Sequence, residues 1–120
     1  MVKELSDTDF WQEVEKSCLL YVVDFWAIWS QSCILVSQAL EEIARQYDGK
    51  INFGKVNVDN EIKTANECDI QNIPTILFYL QGKEAERIVG SVNKEILVAK
   101  IKKYVPKKIK KDKESIKEIQ

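Results

Sequence analysis

Few residues in this chain could do chemistry. They are the tetrad Ser30-Gln31-Ser32-Cys33, the acid Asp24 inside an apolar run, Lys55 in a later apolar stretch, and two further thiols, Cys18 and Cys68. A cysteine in the first turn of a helix sits where the amide dipoles favour a thiolate. A thiolate with a second thiol beside it can run thiol–disulfide exchange. The chain has no histidine, so every catalysis that needs imidazole is excluded. The cysteines lie 15 and 35 residues apart, which fits no zinc site. No metal and no cofactor is expected.

The tetrad lies where a strand turns into a helix. Residues 19–26, Leu-Leu-Tyr-Val-Val-Asp-Phe-Trp, form a short, β-branched and aromatic run. That composition predicts a strand buried on both faces. From Cys33 onward, Val36, Leu40, Ile43 and Ala44 recur at helical spacing. Ser30 is a favoured N-cap whose hydroxyl can accept from the amide of Cys33. The helix is expected to run to Tyr47 and stop at Asp48-Gly49. Cys33 then stands at the C-terminal edge of a strand, where open α/β sheets place their sites.

The remaining elements follow from the same signals. A short edge strand is expected at 2–5, and then a helix capped by Ser6 or Asp7 with Phe10, Trp11 and Val14 on its buried face. Cys18 should open the buried strand as a small hydrophobe. A second strand at 51–58 carries Lys55. Asp59-Asn60 should cap a short helix at 61–68 that ends on Cys68. Two strands, 76–80 and 84–89, join through Gln81-Gly82-Lys83, and Gly90 breaks the second. A last amphipathic helix covers 92–104. The order is β-α-β-α-β-α-β-β-α, an α/β fold. Its first strands need crossovers and so pair in parallel, and its last two form an antiparallel hairpin in one mixed sheet.

Val23-Asp24-Phe25-Trp26-Ala27-x-Trp29, followed by an x-x-x-Cys element, resembles the active-site region of the thioredoxin family. Ile73-Pro74-Thr75, Gly82, Gly90 and Lys55 in Lys-Val-Asn-Val-Asp add to the resemblance, which covers about residues 2–105. It implies a thioredoxin fold, a thiol–disulfide oxidoreductase activity and a role in cell redox homeostasis, with protein disulfides as substrates. The family's attacking cysteine falls at Ser30 and its resolving cysteine at Cys33. Asp24 matches a buried acid that helps deprotonate the resolving thiol, with Lys55 as its candidate partner. Pro74 would follow a cis bond beside the motif. Trp26, Trp29, Ile73 and Pro74, with Gly90 nearby, would form the apolar rim that binds substrate chains.

Several departures accompany the match. The Gly-Pro between the family's cysteines is Gln31-Ser32, the following basic residue is Ile34, and a helix-kinking proline is Gln38, so a straighter helix is expected. Above all, a hydroxyl with no base beside it cannot replace the attacking thiolate. A dithiol cycle between positions 30 and 33 is impossible in this chain. Three readings stay open. Ser30 is an engineered Cys→Ser change in an active enzyme, which a thioredoxin reductase would serve. Alternatively, the protein acts through Cys33 alone, or it is a non-catalytic module that holds peptides or a partner protein. Cys33 or Cys68 could also link two copies by a disulfide.

One hundred and twenty residues, 45% of them hydrophobic, suit one domain. It is expected over 1–105. A lysine-rich tail, 106–120, follows Pro106 and carries six lysines against three acids. Net charge is −1, so no nucleic-acid partner is expected. No stretch approaches the roughly 20 apolar residues of a membrane span, and no secretory pattern opens the sequence. A reducing cytoplasm is the expected location.

Overall fold

The computed structural model describes residues 1–105; the lysine-rich tail lies outside the described residues. Nine elements follow one another: β1 (Val2–Glu4), α1 (Phe10–Lys16), β2 (Tyr21–Trp26), α2 (Gln31–Gln46), β3 (Asn52–Asn57), α3 (Ile62–Glu67), β4 (Thr75–Leu80), β5 (Lys83–Val89) and α4 (Lys94–Tyr104). The sheet order is β1-β3-β2-β4-β5. β1, β3 and β2 are parallel, and β4 and β5 are antiparallel to their neighbours. This is the mixed sheet that the element order requires.

β2 is central because its residues are apolar on both faces. Leu20 and Val22 meet Val36, Leu40 and Ile43 of α2 and Leu97 and Ile101 of α4. Tyr21, Val23 and Phe25 point the other way, toward Phe10 and Val14 of α1. The Phe10 ring lies 4.8 Å from Trp11, 5.9 Å from Tyr79 and 6.1 Å from Phe25, in the tilted and edge-on arrangements that aromatic pairs prefer. The β4–β5 turn places both Gln81 and Gly82 at positive φ, and glycine takes that conformation without strain. α4 is tied to β5 by Glu86, which receives bonds from Lys100, Lys103 and Tyr104. These partners hold its carboxyl down at about 2.

The chain differs from its sequence reading at three places. Cys18 is exposed and precedes β2, which opens only at Tyr21, so it is not a buried strand residue. α1 begins at Phe10, because Ser6 and Asp9 first close a turn with the Ser6 amide donating to Asp9 Oδ1 at 2.7 Å. Asp7, a candidate cap for α1, instead caps α3. Its Oδ1 accepts from Thr64 N at 2.8 Å and from Thr64 Oγ1 at 2.6 Å, while its own amide donates to Glu61 Oε1 at 2.9 Å. The two segments, 57 residues apart, complete each other as a capping box does within one helix. Asp59-Asn60 is therefore not the side-chain cap of α3.

Candidate functional site

The end of β2 and the start of α2 form the centre of the site. Ser30 is the N-cap of α2, and its Oγ accepts from the Cys33 amide at 3.2 Å. That bond fixes the hydroxyl against the first turn and leaves Cys33 one turn inside the helix. Ser30 is buried and Cys33 is 0% exposed. The thiol therefore lies beneath the surface. Trp29, one residue before the cap, is 69% exposed. Its indole N–H donates to Asp59 Oδ2 at 2.9 Å, which holds the ring at the mouth of the site.

The sheet brings a second loop to the same edge. Phe25 pairs with Thr75 across the antiparallel β2–β4 ladder. Pro74 and Ile73 therefore stand level with the end of β2, where α2 begins. The Ile73–Pro74 bond is cis, and the Pro74 carbonyl accepts from Gly90 N at 2.8 Å. Gly90 takes a φ of 97°. Pro74 itself is buried and Ile73 half-buried, and of the expected rim residues Trp29 is the one exposed. The apolar residues open to solvent near this edge are Ile28, Trp29 and Val89.

Asp24 lies behind the tetrad, 1% exposed. Its Oδ2 accepts from the Ser37 hydroxyl at 2.6 Å, and no group among the described residues reaches Oδ1. Burial pushes its carboxyl up to about 6. The Ser37 bond and, more weakly, the positive charge of Lys55 act against burial, and Glu41 acts with it. Lys55 does not pair with Asp24 as expected. Its ammonium lies over the Trp26 ring, 5.5 Å from the centroid, a contact that keeps a cation against an apolar wall. Trp26, Ile34, Ser37, Gln38, Glu41 and Lys55 line a small pocket of about 170 Å³. Trp26 thus belongs to the pocket beside Asp24 rather than to an outer rim.

The other thiols stand apart. Cys68 Sγ lies 3.3 Å from the hydroxyl of Tyr79 on the α1 face of the sheet, and burial pushes both groups up. Arg87 secures this corner by donating to the carbonyl of Cys68 at 2.9 Å and of Asp69 at 3.2 Å. Cys33 and Cys68 are both buried, so neither is presented for a disulfide between two copies; Cys18 is the exposed thiol. No cluster of metal-binding side chains occurs among the described residues.

The thioredoxin family model matches residues 1–103. This chain belongs to the thioredoxin family. It is 36% identical to the thioredoxin of a Synechocystis species over 102 residues, 85% of this chain and 95% of that protein. It is 37% identical to thioredoxin 1 of a Nostoc species over the same shares, and 36% identical to the thioredoxin of Pyropia yezoensis over 87% of this chain and 97% of that one. Thioredoxins are thiol–disulfide oxidoreductases that act on protein disulfides.

Two residues of the site escaped the sequence reading, Ser37 and Asp59, as did Tyr79 beside the separate thiol of Cys68. Ser37 left a signal. Cys33, Ser37, Leu40 and Ala44 follow one another at helical spacing, so a hydroxyl sits on the inward stripe of α2 facing the strand that holds Asp24. Trp29 with Asp59, and Cys68 with Tyr79, are pairings that only the fold creates.

Proposed function

We propose that this chain engages protein thiol–disulfide substrates through the edge formed by Trp29, Ile73 and Gly90, and that as written it does not complete a dithiol cycle. The observation that carries this is the state of position 30. The side chain at the attacking position is a hydroxyl acting as a helix cap, with no base among its hydrogen-bond partners. Exchange needs a thiolate that opens the substrate disulfide, forming a mixed disulfide and releasing one substrate sulfur as thiolate. A second thiolate must then attack the mixed disulfide and release the other. On this reading Cys33 serves the second step, and its burial keeps it from the first.

On this reading Ser30 stands where the parent enzyme has cysteine, by engineering of an otherwise active protein that a thioredoxin reductase serves. The codon at position 30 in the source gene checks that origin. Asp24 is the acid that holds and releases a proton behind the site, and Lys55 tunes it from a distance. Three unpaired cysteines favour work in a reducing compartment such as the cytoplasm.

Insulin reduction with dithiothreitol as donor tests the proposal. The chain as written should match the uncatalysed rate, and Ser30→Cys should accelerate it well above that rate. Turnover by the unsubstituted chain, or none by a folded Ser30→Cys variant, would overturn it. A second reading, a binding module without redox chemistry, draws on the exposed Ile28–Trp29 pair. It predicts equal peptide affinity before and after the Ser30→Cys change.

A further inference from the structure

Ser37 has no part in the cycle described above. It sits on α2 one turn beyond Cys33, and Asp24 Oδ2 accepts its hydroxyl at 2.6 Å. The groups that face Asp24 are few. Lys55 stands across from it on β3, Ile76 on β4, and Glu41 lies farther along α2. Lys55 directs its ammonium over Trp26. Ser37 is therefore the one direct partner of this carboxyl among the described residues, and Oδ1 has none.

We propose that Ser37 is a positioning residue for Asp24: it pins Oδ2 against α2, leaves Oδ1 as the atom where the proton comes and goes, and thereby sets the pH at which the buried acid changes charge. This rests on Asp24 being the proton-holding acid of the site. The two oxygens are made unlike each other. When Oδ1 is protonated, Oδ2 is a carbonyl oxygen and still accepts from Ser37. When the proton leaves, Oδ2 shares the negative charge and the same bond strengthens. Ser37 thus favours the anion without being consumed in either state. The proton arrives from a hydronium ion that leaves as water, and it departs to water by the reverse step. The pocket lined by Trp26, Ser37, Gln38 and Lys55 brings solvent as near to the carboxyl as its Ser37 partner.

The experiment is a ¹³C NMR titration of the Asp24 carboxyl carbon in the full 120-residue chain, as written and as Ser37→Ala and Ser37→Thr. The bond is made in both states and is stronger to the anion, so its loss should raise the Asp24 midpoint by about half to one pH unit. Ser37→Thr, which keeps the hydroxyl, should titrate like the unsubstituted chain. An unchanged or lowered midpoint in Ser37→Ala, or Ser37→Thr behaving as the alanine variant, would overturn the proposal. If Ser37→Ala does not fold, Ser37→Cys keeps the volume with a weaker donor and should show the same upward movement; a midpoint that stays put there overturns it equally. The carboxyl is observed without any disulfide exchange, so failure of the insulin assay and failure of this titration are separate results.

Discussion

Asp24 and Lys55 occupy opposed positions in the parallel pairing of β2 and β3, yet they do not form an ion pair. The lysine stem carries its ammonium away from the strand and over the Trp26 ring, 5.5 Å from the centroid. The short aspartate cannot follow and turns to Ser37. A long side chain can keep its charge near water while its methylenes stay in contact with apolar surface; an aspartate has no such freedom. The result is a buried carboxyl whose counter-charge is too distant to offset the loss of water.

The pH dependence of stability follows. The Asp24 carboxyl ionises at about 6 in the fold, above its ordinary value of 3.8. Below the unfolded value the group is neutral in both states, and its contribution is fully favourable. As pH rises from about 4 through 6, the unfolded chain releases its proton more readily, and stability falls. Asp24→Asn removes that loss and keeps an oxygen for Ser37. It should stabilise the protein by on the order of 2 kcal/mol near pH 8 and by little below pH 4. Urea unfolding of both proteins at the two pH values checks this, and a neutral or destabilising effect near pH 8 would show that the anion is well satisfied in the fold.

Thiol labelling should distinguish the three cysteines. Cys18 is exposed, whereas Cys33 is 0% and Cys68 5% exposed, with the Cys68 thiol pushed up by burial. Reagents attack the thiolate and need access to it. Ellman's reagent should therefore label one thiol per native chain promptly, and this label should vanish in Cys18→Ser. The other two should react at the rate of local or global opening. Prompt labelling of Cys33 in the native chain would contradict its enclosure.

Much of this was legible in the sequence because periodicity reports burial directly. The apolar run of β2, the stripe Val36-Leu40-Ile43 and the cap at Ser30 each follow from residue type and spacing alone. The cis bond before Pro74 and the placement of its loop beside the tetrad followed the family resemblance. The misses share one physical cause. Asp7 capping α3, Lys55 leaving Asp24 for Trp26, and Asp59 receiving Trp29 are choices among partners that the fold brings together from distant parts of the chain. A polar side chain in sequence shows how many bonds it can make, and not with whom.

Asp59 gives a functional test of that kind. Its carboxylate accepts from the Trp29 indole, and Trp29 is the large apolar side chain held open at the mouth of the site. Without the bond the ring gains rotamers that substrate binding must remove. In the Ser30→Cys background, Asp59→Ala should raise the KM for a protein disulfide several-fold, in line with a hydrogen bond worth about 0.5–1.5 kcal/mol, and change kcat less. Steady-state kinetics separate the two parameters. An equal loss in kcat with KM unchanged would place Asp59 in the chemical step instead.

A glycine in the middle of β3 gives the last prediction. Gly54 on β3 lies between Lys3 of β1 and Val23 of β2. A Cβ there would meet Leu5 Cδ1 at 2.6 Å, Tyr21 Cε1 at 3.0 Å and Leu5 Cγ at 3.1 Å. Leu5 is 2% exposed and belongs to the same cluster as Phe10, Val23 and Phe25, so it has no solvent to retreat into. Overfilling such a core costs about 1–3 kcal/mol. Gly54→Ala should lower the Tm by roughly 5–15 °C for a domain of this size, with the denaturant slope unchanged. Leu5→Ala alone should also destabilise, by leaving a cavity. The two changes should not add: the alanine methyl at 54 enters the space that Leu5 vacates, so the double variant should be more stable than the sum of the single losses implies. Strict additivity would mean that β1 shifts to make room and that Leu5 is not what excludes a side chain at position 54.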